Sequence, residues 1–287
     1  MKVAYLITAY NNFNHLIALI KKIKVDNSLV YIHIDKKTII PDFFTSFSQN
    51  EKNLTIISTV EVWWGGWSHQ QAILDLINEA KKEKPDYYVI MSGQDYPIRD
   101  RSEFLELLSK NKEYITIMQG FHQTKPEDRI RYHYFDCFDR RRKSLKTVIY
   151  KLAERFLRII YRKKNYPFST IYHGSTWCAL SGSCVDYILD FMDKNPHFVD
   201  FFKTSWCAEE SFFPTIIGNS DFINNVSPGI WYTDWEGVNP PVALTEKHIS
   251  LFKENDFFYN KTYDITYCPY FARKFNDGNQ DVRSLLD

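Results

Sequence analysis

The sequence predicts a single α/β domain built on a mostly parallel sheet flanked by helices. Over the first hundred residues, short apolar runs of the kind found in strands buried on both faces alternate with segments of helical periodicity. The length of 287 residues is enough for one large domain with a sizeable core. No internal repeat, low-complexity tract or flexible linker divides the chain. We therefore expect one folded unit over residues 1–287.

Five strands are predicted in the first part of the chain. The first is the continuous apolar run from Val3 to Ala9. The next four are expected at Leu29 to Ile34, Leu54 to Ile57, Tyr87 to Met91 and Tyr114 to Met118. Strands that alternate with helices form parallel sheets, in which ligands bind beyond the carboxyl ends of the strands. Residues that directly follow these strands are therefore candidates for a binding site.

Helices are predicted between these strands and again later in the chain. Asn11 or Asn12 is a candidate N-cap for a helix whose apolar residues recur at helical spacing through Ile23. Ser68 and Gln71 have the spacing of a capping box, which would open a second helix that continues to Ala80. After a strand-like segment at Ser175 to Leu180, a further helix is expected from Ser183 to Met192.

The segment from Asp139 to Lys164 predicts a basic amphipathic helix. It contains eleven Lys or Arg residues and two acidic residues, and its apolar residues recur at helical spacing. One interpretation is a solvated surface helix packed on the core. The other is an arm that lies on an anionic membrane face. The sequence leaves both interpretations open.

Composition excludes several classes of protein. The 36 Lys and Arg residues nearly balance the 35 Asp and Glu residues, which argues against a globally basic nucleic-acid-binding protein. Five cysteines without C-x-x-C spacing argue against a disulfide framework or a structural zinc site. Apolar runs are far shorter than a membrane-spanning helix requires, and no signal peptide is evident. We expect a cytoplasmic protein.

Several common cofactor and metal motifs are absent from the sequence. It contains no G-x-G-x-x-G, no phosphate-binding P-loop and no H-E-x-x-H motif. Nor do any two Asp residues stand two positions apart, so the D-x-D pattern that holds a divalent metal on a nucleotide-sugar is missing. If the ligand carries a diphosphate, some other cation must balance its charge. No cofactor and no metal site are expected.

Two segments combine residue types that suit a ligand. In the segment from Trp63 to Ser68, two glycines between tryptophans would let the backbone approach a ligand beside flat indole walls, although a structural turn is the alternative. The Arg273-Lys274 pair lies between aromatic residues that would anchor it, and both side chains suit phosphate oxygens. An ordinary solvated pair is the alternative for these cations.

Acidic residues supply the remaining candidates. Asp35 ends a predicted strand and could bind a ribose or a base, or simply form a turn. Asp95 lies in a turn before Pro97 and could bind an acceptor hydroxyl. Glu209 and Glu210 are adjacent, so their side chains should point in different directions rather than share a proton. A pair of acids at a helix N-terminus is the structural alternative, whereas burial by the following Ser-Phe-Phe would favour a general base.

Taken in order, these segments resemble the core-2/I-branching N-acetylglucosaminyltransferase family (glycosyltransferase family 14), which includes peptide O-xylosyltransferases. The matching segments run along nearly the whole chain: Tyr5-Leu-Ile-Thr-Ala9, Tyr31-Ile-His-Ile-Asp35, Trp64-Gly-Gly-Trp-Ser68, Ser92-Gly-Gln-Asp-Tyr-Pro-Ile98, His173-Gly-Ser-Thr-Trp177, Glu209-Glu-Ser-Phe-Phe213, Trp235-Glu-Gly237 and Phe271-Ala-Arg-Lys-Phe275. The resemblance implies a GT-A-like domain without a D-x-D motif, with a nucleotide-sugar half at 1–120 and an acceptor and catalytic half at 121–287.

The resemblance also implies roles for individual residues. It makes Glu210 the catalytic base. The implied donor-binding residues are Ala9, Tyr10, Asp35, Lys37, Trp64, Gly65, Arg273 and Lys274. The implied acceptor-binding residues are Gln94, Asp95, Trp177, Trp235 and Glu236.

The function expected from the sequence is inverting, metal-independent transfer of a sugar from a UDP-sugar to a hydroxyl of an acceptor glycan. The donor favoured by the resemblance is UDP-N-acetylglucosamine, with UDP-xylose or UDP-glucose/galactose as alternatives. A chain without the anchor and cysteine pattern of the animal members suggests a bacterial enzyme of surface polysaccharide synthesis, working on an acceptor that could be linked to a lipid diphosphate. A glycoside hydrolase, with Glu210 and Asp95 or Glu236 as its carboxylates, and a non-catalytic carbohydrate-binding protein are the other classes.

Overall fold

The computed structural model describes residues 1–25, 27–161, 163–236 and 241–287. Arg162 of the basic segment and Gly237 of the Trp-Glu-Gly motif lie outside the described residues. The strands are β1 (Val3–Ala9), β2 (Ser28–Ile34), β3 (Leu54–Ile57), β4 (Tyr87–Ser92), β5 (Asp95–Pro97), β6 (Glu113–Tyr114), β7 (Ile117–Gln119), β8 (Tyr172–Gly174), β9 (Cys178–Ser181), β10 (Val226–Ser227), β11 (Trp231–Thr233), β12 (Phe258–Asn260), β13 (Ile265–Tyr267) and β14 (Phe271–Arg273). The α-helices are α1 (Phe13–Ile23), α2 (Asp42–Gln49), α3 (Trp67–Ala80), α4 (Arg101–Ser109), α5 (Asp128–Arg131), α6 (Leu145–Ile160), α7 (Gly182–Lys194), α8 (Pro196–Lys203), α9 (Phe212–Gly218), α10 (Glu246–Glu254) and α11 (Gln280–Ser284).

The central sheet has seven strands in the order β10-β6-β9-β4-β1-β2-β3. Strands β3, β2, β1 and β4 run parallel to one another, whereas β9 runs antiparallel to both β4 and β6. The α/β class and the mostly parallel sheet predicted from the sequence are therefore confirmed. Because β1, β2 and β4 are parallel, their carboxyl ends lie at one edge, and the residues after them meet there.

The two faces of the sheet are covered by different helices. Along β1, Tyr5 and Ile7 face a core that includes α1 and α4, whereas Ala4 and Leu6 face a second core that includes α3, α7, α8 and α9. Burial on both faces explains why β1 is a continuous apolar run rather than an alternating one.

A smaller sheet brings the C-terminal segment to the same edge. Strand β14 lies between β11, which is parallel to it, and β5, which is antiparallel to it. In this register Arg273 lies opposite Asp95, a residue 178 positions earlier in the chain. Because β5 directly follows β4, the Arg273-Lys274 pair is placed beside the carboxyl end of the central strands.

Two strand predictions were wrong in their bounds. The predicted strand at Tyr114 to Met118 is broken into β6 and β7, which belong to different sheets: β6 pairs with β9 and β10, and β7 pairs with β8. Of the predicted segment at Ser175 to Leu180, only the part from Cys178 onward is in a strand, β9, because Ser175 to Trp177 connect it to β8, which ends at Gly174. In both cases a chain that changes sheets interrupts a locally strand-like pattern.

The predicted helices were confirmed and Asn12 is the N-cap residue of α1, but the capping box predicted at Ser68 was wrong. Helix α3 has Gly66 at its N-cap, and Ser68 lies within the first turn, where its backbone N–H donates to Asp136 at 2.5 Å. Neither Asn11 nor Asn12 caps α1 through its side chain. Instead Asp277 accepts a hydrogen bond from the backbone of His15 at 2.7 Å. Carboxylates remote in sequence therefore accept hydrogen bonds from the first turns of both helices.

The basic segment forms a helix that is shorter than the predicted range. Helix α6 begins after Ser144, whose hydroxyl accepts from Thr147 N at 3.1 Å, and it ends at Ile160. In the described part of the chain, no helix combines the length and the apolar character needed to cross a membrane.

Candidate active site

Asp35 and Lys37 form one wall of the site, at the end of β2. The Asp35 carboxylate accepts hydrogen bonds from the backbone of Lys37 at 3.0 Å and of Val62 at 3.2 Å, and it pairs with the Lys37 ammonium at 2.8 Å. That ammonium also donates to the Val62 carbonyl and lies 4.4 Å from the centre of the Trp63 ring. The predicted donor residues Asp35 and Lys37 are therefore brought together, and they tie β2 to the tryptophan segment.

A cleft of about 570 Å³ opens beside this wall. Its lining includes Tyr10 and Lys37, two of the predicted donor-binding residues, together with Asn12, Phe43 and Asp277. The backbone carbonyl of Ala9, another predicted donor residue, accepts from Asp35 N at 3.0 Å. A cleft with aromatic, amide and charged groups at the ends of parallel strands suits a nucleoside.

A buried ion pair lies on the other side of the strand ends. The Asp95 side chain is fully buried, and one carboxylate oxygen accepts from Ser92 N at 2.8 Å and from the Trp231 indole at 3.0 Å. Its other oxygen faces the Arg273 guanidinium at 3.5 Å. Burial raises the pKa of Asp95, and Arg273 opposes that rise. Because the Asp95 carboxylate is enclosed and faces Arg273, the predicted contact of Asp95 with the acceptor is not supported.

Arg273 and Lys274 meet a third cation from the segment that precedes α6. Burial lowers the pKa of the Lys274 ammonium, and Arg273 and Arg141 lower it further. The guanidinium of Arg273 also lies 4.5 Å from the centre of the Trp177 ring. Lys274 beside these two guanidinium groups suits a diphosphate, because an anion would relieve the repulsion that lowers its pKa.

Glu209 and Glu210 lie in a 3-10 turn, Ala208–Glu210, rather than at the start of an α-helix. Their side chains point in different directions, as predicted. Glu210 forms ion pairs through Oε2 with Lys125, at 3.1 Å, and with Arg129. Burial lowers the pKa of Lys125, but Glu210 and Tyr263 together raise it above its ordinary value. Two cations thus hold the carboxylate of the predicted base in place.

Glu209 faces a histidine that sequence reasoning missed. Its Oε1 lies 3.4 Å from His69 Nδ1, and its buried Oε2 has no hydrogen-bond partner among the described residues. On its other side, His69 Nε2 lies 3.2 Å from the Thr8 hydroxyl, and its ring packs edge-on against Trp177 at 5.8 Å. His69 therefore connects the end of β1 with the glutamate turn. No motif in the sequence marks this histidine.

The segment from Trp63 to Ser68, predicted to line a ligand, can do so only in part. Trp64 is 45% exposed and packs edge-on against Trp206 at 5.8 Å, with Arg141 over its ring, so it can still form a ligand wall. Gly65 and Gly66 are buried instead: a Cβ at Gly65 would lie 2.1 Å from Trp206, and one at Gly66 would lie 1.7 Å from Asp136. These glycines make room for protein side chains, so the predicted ligand contact at Gly65 is not supported.

Substitution at Gly65 should destabilise the fold strongly. Gly65 has φ +73°, and Gly120 has φ +81° with no atom within 4 Å of a new Cβ. Gly120→Ala should therefore cost only the backbone strain, about 1–2 kcal/mol. Gly65→Ala should cost about 1–3 kcal/mol more, because the methyl group collides with Trp206. Urea denaturation of both variants measures the difference, and equal losses would contradict this packing.

The remaining acceptor predictions separate into two groups. Gln94 is buried, with its carbonyl accepting from Phe275 N at 2.8 Å, and Trp177 lies between Arg273 and His69. Trp235 is 64% exposed, and the contacts described for Glu236 are local ones near Asp234 and Tyr232. The structure thus places Gln94 and Trp177 beside the residues of the candidate site. It does not place Trp235 and Glu236 there.

Other residues in the described ranges complete the site. Lys125, Arg129 and Tyr263 surround Glu210, and Trp206 lies between the tryptophan segment and the glutamate turn. Within the described ranges, no group of three His, Cys, Asp or Glu side chains is placed to hold a metal ion. The cations of the site come from four separate parts of the chain. The sequence identified Lys37, Arg273 and Lys274 as candidates, but it did not single out Lys125, Arg129 or Arg141.

The site can be compared with known proteins. The Staphylococcus structure S. aureus TarS 1-349 is 12% identical to this chain with a TM-score of 0.35, covering 65% of this chain and 48% of that one. Xylosyltransferase 2 of Homo sapiens is 25% identical over the whole of this chain and 33% of its own length. Xylosyltransferase 1 of Rattus norvegicus is 25% identical over 90% of this chain and 31% of its own length. The chain thus spans about a third of these curated relatives. The family model described as Branch: Core-2/I-Branching enzyme matches residues 3–257, so the resemblance in the motifs is confirmed and the chain belongs to the core-2/I-branching enzyme family.

Proposed function

We propose that this protein is an inverting glycosyltransferase that moves N-acetylglucosamine from its UDP-sugar to a hydroxyl of an acceptor glycan. The observation that carries the proposal is the cation group Arg273, Lys274 and Arg141 at the strand ends of a chain that belongs to this family. The cleft beside Asp35 would take the nucleoside, and the cations would take the diphosphate.

In the proposed reaction, the acceptor oxygen displaces UDP from the anomeric carbon in a single step. Glu210 accepts the proton of the acceptor hydroxyl while that oxygen forms a bond to the anomeric carbon. The bond from the anomeric carbon to the UDP oxygen breaks on the opposite face, and its electron pair stays on the diphosphate. Arg273 and Lys274 stabilise the developing negative charge. Lys125 and Arg129 hold the Glu210 carboxylate in place for the proton transfer.

Transfer is proposed to need no divalent metal, and the proximity of Arg273 and Arg141 to Lys274, whose pKa they lower, supports this proposal. The acceptor is proposed to be a bacterial surface polysaccharide precursor, which could be linked to a lipid diphosphate on the cytoplasmic side of the membrane. The relatives' names make UDP-xylose the first alternative donor, followed by UDP-glucose and UDP-galactose.

Two other classes are less well supported by the geometry. A glycoside hydrolase needs a second carboxylate facing the sugar bond. Asp95 is fully buried, and Glu236 is not brought to the Glu210 cluster, so neither supplies it. A non-catalytic carbohydrate-binding protein would not need the Glu210 carboxylate, held by Lys125 and Arg129, close to a site that suits a diphosphate.

Calorimetric titration tests the donor site directly. UDP should bind the full-length protein in the presence of EDTA, because Arg273 and Lys274 supply the positive charge, and the UDP-sugar that binds most tightly should be the donor. Uridine without phosphates serves as the control and should bind far more weakly. Binding that appears only after Mn²⁺ is added would contradict the metal-independent proposal. No UDP binding with or without metal would overturn the transferase proposal itself.

A further inference from the structure

Helix α6 turns its apolar face away from the protein. Thr147 and Glu154, which are polar, are its buried residues, whereas Leu145 is 76% exposed and Ile159 is 82% exposed. The remaining exposed apolar residues of the helix are Val148, Ile149, Leu152, Phe156 and Ile160. At 100° per residue these side chains occupy one continuous arc of the helix surface. The arrangement is the reverse of a surface helix packed on a core, so that interpretation of the basic segment is wrong.

Polar contacts fix the helix in this orientation. The buried Glu154 carboxylate pairs with Arg140 and accepts from Phe135 N at 2.9 Å. Near the start of the helix, the Tyr150 ring stacks on Phe138 at 5.1 Å. Turning the apolar arc inward would break the Glu154 pair and expose Tyr150. The contacts of Glu154 and Tyr150 therefore keep the apolar arc of α6 exposed.

Positive charge surrounds the apolar arc. Lys146 and Arg155 are exposed on its two sides, and Arg142 and Lys143 are exposed just before the helix. A cleft of about 530 Å³ at the same end is lined by Arg140, Arg141, Arg142, Lys143 and Lys151, among others. The acids of this segment are already engaged, since Glu154 pairs with Arg140 and Asp139 with Arg141.

We propose that the outer face of α6 docks on the surface of an anionic lipid bilayer. An apolar arc with a basic rim lying along one helix is the arrangement that binds in the interface of such a membrane. A second copy of the chain fits less well, because a two-fold contact would bring two basic rims together. Arg141 lies 5.5 Å from the centre of the exposed Trp64 ring, so docking would hold the candidate active site close to the bilayer.

Vesicle sedimentation of the full-length protein tests this proposal without relying on transfer activity. The protein should bind vesicles that contain phosphatidylglycerol at low salt, and binding should weaken as salt rises because exposed charges are screened. Neutral phosphatidylcholine vesicles should bind it at least tenfold less. Absence of binding to anionic vesicles at low salt would overturn the proposal.

Variants separate the two parts of the surface. Lys146→Gln/Arg155→Gln should weaken binding about fivefold per charge on anionic vesicles. Leu152→Gln/Phe156→Gln/Ile159→Gln should weaken binding tenfold or more on the same vesicles. The matched control replaces exposed apolar residues elsewhere, Leu251→Gln/Phe257→Gln/Leu285→Gln, and should bind as the parent does.

Two results would contradict the assignment of the docking face. One is an equal loss of vesicle binding in the control triple variant. The other is a concentration-dependent dimer, seen by sedimentation velocity, that the Leu152/Phe156/Ile159 variant abolishes, since this would make a second copy the occupant. Unchanged far-UV circular dichroism and UDP binding in each variant show that any loss of vesicle binding comes from the surface.

Discussion

Glu210→Gln is expected to lower the rate of sugar transfer by about 10²–10⁴-fold while UDP binding is retained. The amide keeps the size of the side chain and can still accept hydrogen bonds from Lys125 and Arg129, but it cannot take a proton from the acceptor hydroxyl. Transfer is measured with the tightest-binding UDP-sugar, and UDP affinity is measured by calorimetry. Full activity in this variant would remove Glu210 from the proposed mechanism.

Glu209→Gln is the matched control, one residue away in the same turn. Glu209 is buried against His69, 3.4 Å from its Nδ1, and the amide can maintain that contact. We expect less than a tenfold loss of transfer. A larger loss in Glu209→Gln than in Glu210→Gln would instead move the base to the Glu209-His69 pair. The two variants thus decide between adjacent carboxylates with different surroundings.

Strands β1, β2 and β4 could be predicted from the sequence because each is an apolar run buried on both faces, whereas β3 is a short, mainly apolar run that is only partly buried. Periodicity therefore located β1, β2, β3 and β4 to within a residue or so. Arg273 and Lys274 could be identified as functional candidates because the pair lies in a segment that matches the family. Their meeting with Asp95 and Arg141 depends on the pairing of β14 with β5, which no local pattern reveals.

Contacts between residues remote in sequence account for most of what the sequence did not reveal. Asp136 and Asp277 accept from the first turns of α3 and α1, so the Ser68 signal was misleading, and Asn12 is the N-cap of α1 by position but not through its side chain. Gly65 appeared to offer room for a ligand, but Trp206 fills that room. For α6, periodicity correctly predicted an amphipathic helix. Which of its faces points outward depends on contacts with residues before the helix, such as the buried Glu154-Arg140 pair and the stacking of Tyr150 on Phe138.

Arg273→Met is expected to lower the free energy of unfolding by about 3 kcal/mol or more. Removing the guanidinium leaves the fully buried Asp95 carboxylate without its cation. Lys274→Met is the matched control, because the charges that shift the pKa of Lys274 are those of the cations Arg273 and Arg141 and not that of a buried acid. Both variants should weaken UDP binding, whereas only Arg273→Met should be strongly destabilised in urea. Equal stability of the two variants would contradict a structural role for the Asp95-Arg273 pair.

The pH dependence of the Arg273→Met variant identifies the cause of its instability. Burial raises the pKa of Asp95 above its ordinary value of 3.8, and loss of Arg273 should raise it further. A carboxyl whose pKa is higher in the folded state binds its proton more tightly there, so stability falls as pH rises between the unfolded and folded pKa values. The deficit relative to the parent protein should therefore be smallest near pH 4 and grow toward neutral pH. In Arg273→Met/Asp95→Asn the buried charge is absent, so the pH-dependent part of the deficit should disappear. A deficit independent of pH in the single variant would assign its instability to lost packing against Trp177 instead.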